Sequence, residues 1–337
     1  MSGDVHDSVS GEGTYVHGGS GKPRSREERM VPRERPSSYY GRPIVKPPVW
    51  KPEIPFYFFF GGLAGASATL AAAATFAERP RLARRAWTGA FVGVIVSPLL
   101  LIKDLGKPSR FLNMLRVFKI TSPMSVGAWL LLANGGATSL AAGLNLLDER
   151  RRGGTAEVMA AALGAPLATY TAALVTHSAI PAWSEARNEM PFVFAASATA
   201  SAAGAAMLTV PAKEAEPARR LGVLAALAEE GISVLMHKRL GPLADAYEKG
   251  TAGRFGKAAR ACTLGGALAL AAGEPALPLP LSKRRRSTLS VAGGALLLAG
   301  SVCKRWSVFK AGFQSAEDPS QAIRTQRRRI AGDGDGA

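Results

Sequence analysis

Long apolar runs recur along the chain, and polar or charged stretches separate them. The run IPFYFFFGGLAGASATLAAAATF has no charged residue, whereas helices of soluble proteins rarely lack a polar face altogether. A helix needs about 20 mainly apolar residues to cross a bilayer. We predict a transmembrane helix at each of eight runs, which cover 54 to 76, 86 to 103, 124 to 147, 158 to 180, 191 to 211, 218 to 237, 257 to 273 and 287 to 303.

Polar segments at both ends divide the chain into three parts. Residues 1–50 are rich in Gly, Ser, Pro and Arg, a composition that predicts a disordered tail. Residues 51–310 form the predicted transmembrane domain, and residues 311–337 the predicted polar C-terminal tail. The predicted fold class is an all-α integral membrane protein, with about eight transmembrane helices packed as helical bundles. A soluble protein with Ala-rich core helices is the disfavoured alternative.

The chain is strongly basic, with 42 Lys and Arg against 25 Asp and Glu in 337 residues, a net charge of +17. Most of these cations flank the apolar runs, as at 79 to 85, 150 to 152 and 283 to 286. Such residues favour anionic head groups and the cytoplasmic side of a membrane. We therefore expect a multi-pass protein of the plasma membrane that contacts the lipid bilayer and no nucleic acid. Its orientation stays open, because cations lie on both sets of loops.

The chain has few cysteine and histidine residues that could hold a metal. Cys262 and Cys303 are isolated, and no CxxC spacing occurs, which argues against an iron-sulfur cluster or a structural zinc site. Only His177 and His237 lie near predicted spans, whereas two bis-histidine haems would need four histidines. We predict no haem, no iron-sulfur cluster and no metal site within this chain.

The connector at 104 to 127, DLGKPSRFLNMLRVFKITSPMSVG, is both basic and apolar. A helix from 110 to 119 would segregate the two kinds of residue. One side would carry Phe111, Met114, Leu115 and Phe118, and the other Arg110, Asn113, Arg116 and Lys119. This pattern is typical of a short helix that lies flat at the bilayer surface.

The same connector, DLGKPSRFLNML followed by SPMSVGAWLL, resembles the NrfD family, the membrane subunits of polysulfide reductase and related molybdopterin oxidoreductases. Two more segments agree with this resemblance. The segment from Tyr170 to Met207 is similar to the family's fourth and fifth spans with their Pro-x-Trp-x-x-Ala connector. The segment LLLAGSVCKRWSVFKAGFQSAEDP is similar to the family's last helix and tail. The resemblance covers roughly residues 50 to 320.

The resemblance implies a helical subunit that binds quinone or quinol, either menaquinone or ubiquinone, near one membrane face. It also implies a 4Fe-4S electron-transfer subunit as a partner, and a molybdenum or tungsten pterin subunit that performs catalysis. This chain would hold no catalytic residue of its own. Its C-terminal KRWSVFKAGFQSAEDP segment is similar to subunits that accompany formate dehydrogenases.

The candidate quinone-binding residues are Tyr170, His177, Asp104 and Arg110. Tyr170 and His177 are seven residues apart, two helical turns, and therefore share one face of the fourth span. A phenol and an imidazole both hydrogen-bond quinone oxygens, and histidine carries protons near neutral pH. Two alternatives remain open. His177 is an interfacial residue that is hydrogen-bonded to the backbone, or Asp104 forms an ion pair with Lys107.

The candidate docking residues for the partner are Lys107, Arg116, Trp183, Glu185 and Arg187. An even number of predicted spans separates their two connectors, so these connectors and both tails share one side of the membrane. The alternative is an interfacial belt with local ion pairs.

Glu229 and Glu230 lie inside the predicted sixth span. Carboxylates within a membrane are costly and tend to mark ion or proton pathways. A proton path through Glu229 and Glu230 is one hypothesis, and the other is a tilted helix in which a glutamate faces a polar cavity or pairs with an arginine.

Two other classes of protein compete with the membrane subunit. A transporter or channel without a redox role would have inverted repeats or helices interrupted near the midplane, and we find no convincing repeat in the sequence. A pure scaffold would anchor a peripheral enzyme without touching quinone.

Overall fold

The structure is a computed structural model that describes residues 43–147, 154–211, 214–274, 280, 282–323 and 325–326. All regular structure in these ranges is helical, which confirms the all-α fold class. Residues 1–42 of the predicted N-terminal tail, residues 324 and 327–337 of the predicted C-terminal tail, and the basic residues 150 to 152 lie outside the described residues.

Eleven α-helices lie in the described part of the chain. They are α1 (Glu53–Phe76), α2 (Pro80–Asp104), α3 (Arg110–Arg116), α4 (Pro123–Leu147), α5 (Thr155–Thr176), α6 (Pro181–Ser184), α7 (Met190–Thr209), α8 (Glu216–Leu240), α9 (Asp245–Glu248), α10 (Gly250–Ala272) and α11 (Lys283–Glu317). A short 3-10 helix, Gly241–Ala244, joins α8 to α9.

Long helices occupy all eight positions at which spans are predicted, and within the described ranges these are α1, α2, α4, α5, α7, α8, α10 and α11. Among the residues described, five of them are long and apolar enough to cross a membrane by length and composition: α1, α2, α5, α7 and α11. The chain is therefore a membrane protein with several apolar helices. A total of eight crossings stays a prediction.

Prolines mark the starts of many helices. Pro80, Pro123 and Pro181 are the first residues of α2, α4 and α6, and Pro191 and Pro217 are the second residues of α7 and α8. Proline fits the first turn because the N–H group that it lacks would have no partner within the helix there. These prolines therefore fix helix starts that hydropathy alone leaves uncertain.

The long helices pack as two groups of four. One group consists of α1, α2, α4 and α5, and the other of α7, α8, α10 and α11. Contacts of α1 with α7 and α11, and of α5 with α7, join the two groups. In its most apolar stretch α1 is 78% buried, against 33% for α2. Thus α1 is the central helix, and one side of α2 is left to face lipid.

Glycines allow the closest helix contacts. A Cβ atom on Gly266 of α10 would lie 2.9 Å from the carbonyl oxygen of Gly293 on α11, and a Cβ on Gly293 would lie 2.9 Å from that of Gly266. Real side chains do not tolerate such distances, so only glycine permits this approach of the two backbones. Small residues at helix contacts are the usual means of close packing in membranes.

Helix α11 is longer than a bilayer requires. Its 35 residues extend roughly 52 Å at 1.5 Å per residue, whereas the hydrocarbon core is about 30 Å thick. The helix continues to Glu317, past the predicted span end at 303 and past the predicted start of the tail at 311. Phe309, Ala311 and Ser315 are buried, so this extension packs into the bundle.

Candidate functional site

Two consecutive residues before α1 bring two distant connectors together. The ring of Trp50 stacks on that of Trp183, with 5.4 Å between ring centroids. The backbone N–H of Lys51 donates to Oδ1 of Asp104 at 3.0 Å. The connector that begins at Asp104 and the connector that contains Trp183 therefore lie on either side of Trp50 and Lys51. We call the part of the bundle where residues 50–51, 104–122 and 177–189 meet the connector end.

Trp183 anchors the connector end to α11. Its side chain is 1% exposed, and Nε1 donates to the carbonyl oxygen of Val308 at 2.8 Å. Gly312 of α11 faces the Trp183 ring so closely that no Cβ atom would fit there. Trp183 is therefore a structural support of the predicted docking region, and its ring does not lie on the surface.

Tyr247 supports the same connector from α9. Its hydroxyl donates to the carbonyl oxygen of Ala182 at 2.8 Å. Burial raises the pKa of Tyr247 above its ordinary value, so the phenol stays protonated and remains a donor.

Tyr170 is buried at the connector end of α5. Its side chain is 8% exposed, and its hydroxyl donates to the carbonyl oxygen of Pro123, the first residue of α4, at 2.7 Å. Gly127, one turn further along α4, leaves room for the Tyr170 ring. The buried Tyr57 of α1 lies within electrostatic range of Tyr170. Tyr57 is not among the residues predicted from the sequence, although it is a single phenol within the run of phenylalanines IPFYFFF.

The other predicted quinone residues lie at the same end but differ in burial. His177 is exposed and follows the last residue of α5, where its N–H donates to the carbonyl oxygen of Ala173. Asp104, the last residue of α2, is partly buried, and Arg110, the first residue of α3, is exposed. Among the described residues, Tyr170, His177, Asp104 and Arg110 make no hydrogen bond to one another.

The connector at 104–122 presents cations beside apolar side chains. Lys107 and Arg116 are exposed, and no residue of α3 is buried. Leu112 is 68% exposed. Helix α3 ends at Arg116, three residues before the predicted end, and Phe118 lies beyond it with 58% exposure. The mixture of charged and apolar groups fits a segment at the membrane surface.

The connector at 177–189 is fastened to the end of α8. Arg187 is exposed and Glu185 is partly buried. Arg239 of α8 donates to the backbone oxygen of Glu185 and pairs through two nitrogens with the carboxylate of Glu189. A two-pronged arginine pair of this kind adds geometric precision as well as energy.

Glu229 and Glu230 of α8 face a cation from α11. Glu229 is fully buried and Glu230 is 8% exposed. Nζ of Lys304 lies 3.4 Å from Oε1 of Glu229 and 3.5 Å from Oε1 of Glu230. Arg260 of α10 lies 3.2 Å from the other oxygen of Glu230. Both glutamates are thus members of an ion-paired cluster in the second helix group.

Lys304 and its neighbour Arg305 are not among the residues predicted from the sequence. The predicted last span stops at residue 303, because a lysine and an arginine ordinarily end a hydrophobic run. Arg305 is fully buried, donates to the carbonyl oxygen of Phe194 at 3.0 Å and lies 3.8 Å from the centroid of that ring. The apolar residues that continue after this pair, as in WSVFKAGF, were the signal that the helix goes on.

These features define a helical membrane protein whose connectors meet at one end and whose interior contains a charged cluster. The family model for polysulphide reductase, NrfD, matches residues 44–237, which is more than half of the 337 residues. The chain belongs to the NrfD family and is a membrane subunit of an oxidoreductase complex. No curated protein matches the chain. The family match contains all three segments of the connector end, and α9 to α11 lie beyond it.

Proposed function

We propose that this chain is the quinone-interacting membrane subunit of a molybdopterin oxidoreductase, of the formate dehydrogenase or polysulfide reductase type. Quinone or quinol is its substrate, a 4Fe-4S subunit exchanges electrons with that substrate, and a molybdenum or tungsten pterin subunit performs catalysis. The junction at Trp50 and Lys51 carries this proposal, because it joins the two connectors that hold the candidate residues.

The quinone site is assigned to the surroundings of Tyr170. Its hydroxyl donates to Pro123, and a quinone carbonyl in place of that acceptor would receive the same hydrogen bond. His177 follows seven residues later, roughly 10 Å toward the surface, where an imidazole passes protons between water and the ring. In this proposal Asp104 accepts a proton, and Arg110 balances negative charge that develops on a reduced ring oxygen.

The docking face is assigned to the exposed cations Lys107, Arg116 and Arg187, with Glu185 beside them and Trp183 beneath. Cations of this kind complement an acidic patch on a partner and increase the rate of association. Since these residues share the connector end with Tyr170, an iron-sulfur subunit bound there would lie next to the quinone.

Glu229 and Glu230 are assigned to a proton path through the second helix group. Their burial among α8, α10 and α11 supports this assignment, because a carboxylate in a membrane interior is costly unless it has a function or a partner.

Purification of the chain from its native membrane in mild detergent tests the complex. We expect an iron-sulfur protein, a pterin enzyme and bound quinone to co-purify. We expect the variant Arg116→Glu/Arg187→Glu to retain less of the iron-sulfur protein, because the charge of the docking face is reversed. A protein that purifies alone, without metal or quinone, would contradict the proposal and favour a transporter.

The Tyr170→Phe variant tests the quinone site within that complex. Loss of one hydrogen bond of about 0.5–1.5 kcal/mol predicts a quinone-linked rate roughly two- to tenfold lower. Activity with a soluble dye, which bypasses the membrane subunit, should be unchanged. Tyr247→Phe is the matched control, because its hydroxyl also donates to a backbone carbonyl but lies outside the assigned quinone site. Equal quinone-linked rates in Tyr170→Phe and Tyr247→Phe would contradict the assignment of Tyr170.

A further inference from the structure

A cleft of 430 Å³ lies among α8, α10 and α11. Glu248 of α9 lines one end of the cleft with a side chain that is 58% exposed, and we call this end its mouth. The buried Glu230, Ser233 and Lys304 line what we call its inner wall. On α8, Glu230 precedes His237, which also lines the cleft and contacts Glu248, by seven positions, or roughly 10 Å along the helix. Two of its three main walls, α10 and α11, lie beyond the residues that match the family model.

The inner wall consists of buried charged groups. Lys304 is 9% exposed and Glu230 is 8% exposed, and both line the cleft. Nζ of Lys304 lies within ion-pair distance of Glu229 and Glu230 and donates to Oγ of Ser233 at 3.1 Å. Among the described residues, Oε1 of Glu230 has no hydrogen-bond partner. Lys304 therefore lies between Glu230, which lines the cleft, and the fully buried carboxylate of Glu229.

The two adjacent cations of α11 differ in what they are able to do. Arg305 is held by the carbonyl oxygen and the ring of Phe194. A guanidinium in a protein keeps its proton and acts as a fixed positive charge. Lys304 instead carries an ammonium with three N–H bonds on a flexible stem, and an ammonium, unlike a guanidinium, is able to transfer a proton. The cluster therefore combines a permanent countercharge with a cation that is able to release a proton.

Other ionisable groups face this cluster from each neighbouring helix. From α10 come Arg260, which pairs with Glu230, and Lys257, which lines the cleft. His237 of α8 lies 3.5 Å from Glu248 of α9 at the mouth. From α11, Arg305 interacts electrostatically with Glu229. Several charged groups therefore lie between the mouth of the cleft and the buried carboxylate of Glu229.

We propose that Glu229, Glu230 and Lys304 form a proton-exchange site that water in the cleft supplies. In the inward step an N–H bond of the Lys304 ammonium breaks and an O–H bond forms on the Glu229 carboxylate. A proton from the cleft then binds Glu230 and passes to the neutral amine, which restores the ammonium. One inward transfer adds one proton to Glu229, the same steps in reverse return that proton to the cleft, and no oxidation state changes. The inference rests on the proposed function only for the use of these protons in quinone chemistry.

Thiol labelling of the purified chain tests whether water enters the cleft. In a Cys262→Ser/Cys303→Ser background, Val234→Cys and Leu235→Cys form a matched pair. Both native side chains are exposed, 36% and 59%, but only Val234 lines the cleft. A charged methanethiosulfonate reagent should modify the cysteine at 234 at least tenfold faster than the cysteine at 235, which lies outside the cleft on the apolar outer side of α8 with Leu224 and Leu227. Equal rates, or no reaction at 234, would overturn the water-filled cleft.

Infrared spectroscopy of the same purified chain tests the proton transfer. We expect a carbonyl band of a protonated carboxyl group that disappears as pH rises, moves in heavy water and is absent in Glu229→Gln. Lys304→Arg keeps the positive charge but removes the transferable proton. It should slow the appearance of the band after a pH jump at least tenfold. Glu230→Gln should slow the appearance less, because water is able to protonate Lys304 directly.

The outcomes separate this inference from the quinone and docking assignments of the proposed function. If the carbonyl band appears at an unchanged rate in Lys304→Arg, Lys304 is only a countercharge. If no Glu229 band appears at any pH, Glu229 and Lys304 are permanently ionised. Either result overturns the proton-exchange site. Neither affects the quinone assignment, because these experiments use the chain without quinone or partner, whereas the Tyr170→Phe comparison uses the whole complex.

Discussion

Gly312→Ala places a methyl group on α11 at the position of the Trp183 ring. No Cβ atom fits there, because the closest ring atoms occupy that space. The ring is not free to yield, since Nε1 donates to Val308 at 2.8 Å and the other face stacks on Trp50. The variant therefore forces the anchor of the connector end to move.

The expected loss follows from the contacts that this movement breaks. The hydrogen bond contributes about 0.5–1.5 kcal/mol, and the aromatic stack about 0.5–1.5 kcal/mol. Alanine in place of glycine inside a helix stabilises by roughly 0.5–1 kcal/mol. We expect a net decrease in the free energy of unfolding of about 1 kcal/mol.

The assay is reversible unfolding of the purified protein in mixed micelles, followed by tryptophan fluorescence. Gly136→Ala is the control, because Gly136 lies inside α4 and a Cβ there meets no atom within 4 Å. That control should be more stable than wild type by roughly 0.5–1 kcal/mol. In a Trp183→Leu background the penalty of Gly312→Ala should disappear. If Gly312→Ala is as stable as Gly136→Ala, the anchor is not rigid and this reasoning fails.

Two further predictions concern the connectors. Arg239→Lys keeps the charge but loses the two-pronged pairing with Glu189. We expect thermal unfolding to show that the free energy of unfolding falls by about 1 kcal/mol. The value is modest because the Arg239 side chain is 38% exposed, so that water screens the pair. An equally stable variant would show that the pairing adds nothing. Leu112→Trp places a fluorophore on the exposed side of α3, and brominated lipids should quench it if α3 lies at the bilayer surface. Unquenched fluorescence would place α3 in water.

Hydropathy located all eight long helices but misplaced several of their ends. The structure begins α2 at Pro80 rather than residue 86, and α10 at Gly250 rather than residue 257. The cause is the same in both, because cations such as Arg84 and Arg254 lower the local hydropathy without interrupting the helix. Arginine and lysine extend their charged ends toward water while the backbone stays helical.

At the connector end, too, local sequence patterns predicted some features, and other features depend on tertiary contacts. The sequence predicted a short amphipathic helix after Arg110 and, from the even number of spans, the convergence of two connectors on one side. It did not predict that Trp183 is buried. That depends on Gly312 and Val308, which are more than 120 residues away and lie on a helix that was predicted to end earlier.

The sequence by itself determined the class of this protein, because uncharged runs of about 20 residues have few stable states other than helices in a membrane. It also identified Glu229 and Glu230 as candidate functional residues, since carboxylates are rare within apolar helices of a membrane protein. Only the tertiary structure decided what these carboxylates face. Lys304 is 71 positions from its hydrogen-bond partner Ser233, and the packing of α8, α10 and α11 is set by the close approach of small residues such as Gly266 and Gly293. Helix periodicity shows which residues share one face of a helix, but it does not show which faces of different helices pack against each other.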